Sequence, residues 1–360
     1  MPQPTTPDNL LNTSWTLHRL SPLHHGKEFQ TLLDNSTALN TYATRLRDQL
    51  TGDVLAGLQA TPALAGDDEG LSKTGALKAC TWESINMSLS EDDEDDGIPG
   101  ILITLGYENA VYKAVLLPGL RPALENATSL TSTTEREGST HLPLLMTRLP
   151  TALRQTVISF LSANFDVYCS AFRLPANLMC AGLDVYVGAF LSSEYGDDGT
   201  LEDVVKDMHL TLSFSPSIAP ALRSLNITIP HATFGEFLRS SPTSSPANSS
   251  GNPFLSNLSA YIEKHLSMKL DLDVSSNAQQ SPAKQHVRLS KIACGGFVLG
   301  SEGRMKLVAL SEKKSATGGG DEDGGDAYVR TEREKLELRG SQALLGTVMR
   351  RVVAGEGQIR

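Results

Sequence analysis

IPGILITLGYENAVYKAVLL, residues 98–117, decides the fold class. Two apolar runs, Ile98 to Leu105 and Ala110 to Leu117, are rich in β-branched residues and separated by Gly106-Tyr107-Glu108-Asn109, a turn-capable quartet. That pattern predicts a β-hairpin. Upstream, Cys80 to Leu89 reads as a further strand. It is set off from the hairpin by Ser90 to Gly97 (SEDDEDDG), whose six successive carboxylates repel one another and belong in a solvated loop.

Moving outward, helices and strands interleave without a regular βα period. Phe29 to Leu50 carries Leu32, Leu39, Tyr42, Ala43, Leu46 and Leu50 at helical spacing, with Gly52 expected to stop the helix. Thr151 to Asn164 is a second helix behind Pro150, a proline in the first-turn position. Phe165 to Phe172 alternates like a strand, and Leu178 to Leu191 is apolar throughout and reads as a buried helix. Met208 to Phe214 and Leu222 to Ile229 are strand-like, His231 to Leu238 and Pro253 to His265 helical. Lys269 to Val274 and Val287 to Ala293 are expected strands, and Phe297 to Leu299 with Met305 to Leu310 a hairpin about Gly300 to Gly303. Tyr328 to Leu338 is read as a strand before a last helix from Ser341 to Val353. Pro118 to Leu142 is expected to be an exposed loop.

The predicted fold is therefore α+β, with a mixed, mainly antiparallel sheet, packed helices and several disordered inserts. Residues 1–11 are expected to be a disordered tail, 12–240 an N-terminal α+β region, and 241–252 a low-complexity linker or loop. Residues 253–360 are a C-terminal α+β region with a disordered insert at 311–326.

Bulk properties narrow the function. A net charge of −10 argues against a surface wholly devoted to nucleic acid. Cys80, Cys169, Cys180 and Cys294 are too few and too scattered for a disulfide framework in a 360-residue chain. The start lacks a basic and apolar leader, and no apolar run reaches the ~18–20 residues that cross a bilayer, so an intracellular protein is expected.

Chemistry is sparse. Leu299-Gly300-Ser301-Glu302-Gly303 misses the nucleophile-elbow pattern at its first glycine, and a hairpin turn accounts for it. His18, His24, His25 and Cys80 lack metal-ligand spacing. Glu91 to Asp96 lacks the alternating ligands and central glycine of a calcium loop, and the glycines at 318–320 sit among acids that would repel phosphate. No catalytic, cofactor-binding or metal-binding residue is assigned, no cofactor is expected, and partner-binding residues stay unknown. Two basic sets could meet phosphate: Arg330, Arg333, Lys335, Arg339, Arg350, Arg351 and Arg360, and Arg19, Arg45, Arg47, Lys73 and Lys78. Solvated helix faces look the same.

One resemblance stands above this background. Asn12 to Gly26, NTSWTLHRLSPLHHG, with the helix holding Tyr42-Ala43-Thr44-Arg45-Leu46-Arg47-Asp48, resembles the opening of the fungal Sim4-complex kinetochore subunits of the centromere protein L family. Trp15, Leu20, Ser21 and Pro22 are markers of that likeness and not site residues. The resemblance implies an α+β, non-catalytic subunit of the inner kinetochore, in the constitutive centromere-associated complex of the nucleus. It implies a heterodimer with a centromere protein N-like subunit, joined through sheet edges and C-terminal elements, with Met305 to Leu310 and Tyr328 to Val353 as the region to expect. Other inner-kinetochore subunits would be further partners, and an indirect or weak DNA or nucleosome contact stays open. The alternatives are an unrelated α+β adaptor and an enzyme without a recognisable motif.

Overall fold

The computed structural model describes residues 10–55, 74–87, 97–120, 135–136, 138–191, 204–217, 221–238, 253–267, 287–309 and 332–354. Along the chain these form β1 (Ser14–Leu20), β2 (Leu23–His24), α1 (Ser36–Leu55), β3 (Leu77–Met87), β4 (Ile98–Tyr107), β5 (Val111–Leu117), β6 (Glu135–Arg136), β7 (Ser139–Thr140) and β8 (Leu144–Arg148). There follow α2 (Thr151–Phe165), β9 (Cys169–Ala171), α3 (Ala176–Leu191), β10 (Met208–Phe214), β11 (Ser224–Ile229), α4 (His231–Leu238), α5 (Pro253–Leu266), β12 (Val287–Ala293), β13 (Phe297–Gly300), β14 (Arg304–Leu307) and α6 (Glu332–Ala354). The fold is α+β, and every strand pair with a defined register is antiparallel. The predicted inserts at 90–96, 241–252 and 311–326, and the strand at Lys269 to Val274, lie outside the described residues.

The chain divides into two compact units. The first comprises Met1–Arg173, Glu302–Met305 and Val348–Arg360, the second Leu174–Ser301 and Lys306–Thr347.

In the first unit, β4 lies between β3 and β5, β5 pairs with β8, and β8 pairs with β1. The hairpin read from residues 98–117 is present, with Ile103 opposite Ala114 and the Tyr107 N–H bonded to the Ala110 carbonyl at its tip. Pairing of β4 with β3 aligns Trp82 with Ile103 on one face. Helices α1 and α2 cover that face. Tyr42 on α1 meets Phe165 on α2 with ring centroids 4.4 Å apart, and Trp82 lies 6.3 Å from Phe165. Tyr42, Phe160 and Phe165 are all at or below 1% exposure, so the aromatic cluster is the centre of this core.

Local chemistry moved several boundaries. Helix α1 starts at Ser36, not Phe29, because the Asn35 side chain accepts from the Ala38 N–H as an N-cap. It continues through Gly52 to Leu55, since a glycine lowers helix propensity by only about 1 kcal/mol. The strand expected from Phe165 is a helix end. Phe165 is fully buried within α2, Asp166 closes it in the left-handed conformation, and only Cys169–Ala171 extends as strand. Between Pro118 and Leu142, expected to be an exposed loop, Leu120 and Leu142 are buried. There β6 and β7 build a small sheet with β2.

His18 lies on β1 at 8% exposure, and its Nε2 has no hydrogen-bond partner among the described residues. Burial, helped by the Arg154 guanidinium, pushes its pKa down to about 4 from 6.5. A depressed histidine stabilises the fold fully above pH 6.5 and loses that contribution as pH falls towards 4, where the loss amounts to about 3 kcal/mol. Denaturant midpoints of the His18→Leu variant should therefore fall less than those of the unaltered chain between pH 7 and pH 4.5. Parallel curves would refute this.

In the second unit, β10 lies between β11 and β12, and β13 pairs with β12. Met208, Leu210, Leu212, Leu289 and Ile292 are buried, and α3 packs on β12. Helices α4 and α5 pack together through Phe234, Phe237 and Phe254. Residues 332–338, within the stretch expected to be a strand, are the opening turns of α6. Their Glu, Arg, Lys and Leu are strong helix formers, and Arg333 bonds to buried Glu337 one turn on.

Candidate partner interface

In the first unit β3, and in the second β11, ends the larger sheet with a free side among the described residues. β3 pairs only with β4, and β11 pairs only with β10. The two edges differ chemically. β3 carries exposed Lys78 and Glu83, charges that deter strand-to-strand association. β11, SLNITI, holds no charged residue over its length. Its Leu225 and Ile227 stand opposite Leu212 and Leu210, continuing the apolar face of the sheet to the margin, where they are half-buried. Leu222, just before the strand, is 47% exposed. Backbone N–H and C=O groups along such a strand are available to a chain laid beside it, and the half-covered apolar pair supplies contact area.

The C-terminal elements offer much less. Met305 and Leu307 on β14 are buried, as are Leu344, Leu345, Val348, Met349 and Val352 on α6. Of the described α6 side chains from Arg333 on, Arg339, Arg350, Arg351 and Ala354 are the exposed ones. Sequence could identify β11 as a strand bounded by Arg223 and Pro230. Which strand lies at a margin depends on pairing between distant segments.

The histidines and cysteines do not converge. His25 uses both ring nitrogens internally, Nδ1 at 2.9 Å from the Phe29 carbonyl oxygen and Nε2 at 3.1 Å from Thr140 Oγ1. Burial holds its pKa below the usual value. Donation from Nδ1–H to the carbonyl leaves Nε2 to accept from the threonine hydroxyl. Burial pushes the thiols of Cys80, Cys169 and Cys294 up to about 11 and that of Cys180 to about 12, so each stays protonated at neutral pH. Among the described residues no three His, Cys, Asp or Glu side chains are grouped to hold a metal ion.

Ser301 sits in a turn between two strands, with its N–H donating to Ser290 and its carbonyl accepting from Leu174. A nucleophile elbow joins a strand to a helix, and no helix follows here. The described cations of the set near the start have partners within the chain. Arg45 pairs with Glu28 at 2.7 Å, Arg47 with Asp48 and Lys78 with Glu108. Arg19 donates to the carbonyl of Val352 at 2.6 Å, in the last turn of α6. No helix among the described residues is long and apolar enough to cross a membrane.

Antiparallel sheet with packed helices and, in the second unit, a margin strand that carries no charge defines an α+β protein among the described residues. The family described as Centromere protein L matches residues 9–353, nearly the whole chain. The chain belongs to the centromere protein L family, which places it among the centromere proteins of the kinetochore. No individual curated protein matches the chain significantly.

Proposed function

We propose that the chain is a non-catalytic structural subunit of the inner kinetochore, working as one half of a heterodimer with a centromere protein N-like subunit. In that role it supports kinetochore assembly and chromosome segregation, as the resemblance to the Sim4-complex subunits implies. The observation that carries this reading is the family match over residues 9–353. The uncharged β11 margin supports a strand-addition mode of pairing. The internal pairing of Arg19, Arg45 and Arg47 favours reaching chromatin through protein partners over direct contact.

Affinity purification of the tagged chain from its own cells tests the proposal. A centromere protein N-like subunit is expected among the co-purifying proteins, with other inner-kinetochore subunits. Recovery of the chain alone, or with a metabolic complex, would reject it. Ile227→Lys places a charge at the β11 margin and is expected to cut recovery of that subunit about tenfold, the equivalent of about 1.4 kcal/mol. Unchanged recovery would move the interface elsewhere.

A further inference from the structure

An open cleft of about 490 Å³ in the second unit is lined by Lys206, Asp207, His209, His231, Cys294 and Gly295. Its walls come from close backbone approach. The Gly295 N–H donates to the Val205 carbonyl at 2.6 Å, and a Cβ on Gly295 would collide with the Val204 carbonyl oxygen. Lys206 takes a left-handed φ of 52°, which turns the chain from Val205 into β10. His209 follows on β10, opposite Thr228 on one side and Ala293 on the other.

The ammonium and the carboxylate that line the cleft are not paired with each other among the described residues. Asp207 is the one carboxylate, and it is already committed: its Oδ1 accepts from the His231 N–H at 3.1 Å and lies 3.5 Å from His231 Nδ1. The N-terminus of α4 is thereby capped from within the protein and is not offered to a ligand. His209 Nδ1 is 3.1 Å from Thr228 Oγ1, which leaves Nε2 for the cleft. Lys206 is exposed and has no ion-pair partner within 4.0 Å among the described residues. Cys294 is a protonated thiol and offers neither a nucleophile nor an anion.

The sheet face beyond the cleft has the same character. Cross-strand partners share a face, so Thr211, Asn226 and Lys291 form one row and Ser213, Ser224 and Arg288 the next. That surface carries cations, hydroxyls and an amide, with no described carboxylate other than Asp207. It suits a compact anion carrying several acceptor oxygens, attached to a chain that continues across a polar surface. We propose that the cleft binds a phosphate monoester, carried on a phosphorylated serine or threonine of a partner protein. A phosphoryl group brings close to two negative charges and three acceptor oxygens to the lysine and the histidines. Nucleic acid fits less well. The cations in these rows are few, and among the described residues the rows hold no Phe, Tyr or Trp on which a base could stack.

The test is a chemical-shift titration of the intact chain with four probes: a glycine-flanked phosphoserine peptide, the same peptide with serine, inorganic phosphate, and duplex DNA. The phosphoserine peptide is expected to bind about tenfold more tightly than its serine form and to move the resonances of residues 206–209 and 293–295. Lys206→Gly suits the left-handed backbone, so it removes the ammonium without straining the turn. It is expected to weaken phosphopeptide binding about fivefold with no fall in melting temperature, and His209→Gln about threefold. Equal affinity for the serine peptide would overturn the proposal, as would indifference to Lys206→Gly or displacement of the phosphopeptide by DNA at lower concentration. Binding of inorganic phosphate without preference for the phosphopeptide would overturn the side-chain source in favour of the free anion. None of these outcomes bears on recovery of the kinetochore partner, so the two proposals fail separately.

Discussion

Gly303→Ala should be among the most damaging single-methyl changes in the chain, lowering the unfolding free energy of the first unit by about 3 kcal/mol. Two causes add. Gly303 has φ +82°, a region that costs an L side chain about 1–2 kcal/mol. A Cβ there would also collide with the Phe172 carbonyl oxygen, and displacing backbone in a close-packed region costs about 1–3 kcal/mol. The Phe172 segment cannot yield freely, because the Phe172 N–H donates to the Leu17 carbonyl while the Leu17 N–H donates to the Gly303 carbonyl. Both tryptophans, Trp15 and Trp82, belong to the first unit, so fluorescence-monitored urea unfolding reads this unit directly. Ser301→Ala, two residues away, is expected to change stability by no more than about 0.5 kcal/mol, because Ser301 engages Ser290 and Leu174 through its backbone. This contrast separates a turn glycine from a glycine serving a nucleophile. Unfolding unchanged by Gly303→Ala would refute the structural account of the motif.

Phe165→Ala is the second large effect, about 4 kcal/mol in the same assay. Phe165 is fully buried, touches both Tyr42 and Trp82, and holds the last turn of α2 against α1 and β3. Deletion of its ring loses transfer free energy and opens a cavity whose aromatic walls collapse poorly. A cycle with Tyr42→Leu should show a coupling of about 1 kcal/mol, the extra attraction of a close aromatic pair. Strict additivity would mean that the two rings merely share a core.

These residues also show how far sequence reading reaches. The hairpin at residues 98–117 was legible because its period-2 alternation and its turn quartet are both local. The same holds for the helical spacing of Leu39, Tyr42, Leu46 and Leu50, and for the continuous apolar run of α3. Boundaries were less legible wherever a tertiary contact competed with the local pattern. Phe165 alternates with Val167 like a strand, yet burial against Tyr42 keeps it helical. Residues 332–338 contain a period-2 pattern in Leu336 and Leu338, but both are buried on a helix that also buries Glu334 and Glu337.

For function, sequence alone determined the α+β class and the likeness of the opening stretch to the centromere protein L family, because both are written in neighbouring residues. Tertiary structure alone decided that, among the described residues, β11 and β3 are margins and the C-terminal helix buries most of its side chains. It also decided that Lys206 and His209 share a cleft with Cys294 and Gly295, more than 80 residues away in the chain. Pairing and burial depend on which distant segments meet, and the energies that select those meetings are summed over the whole core.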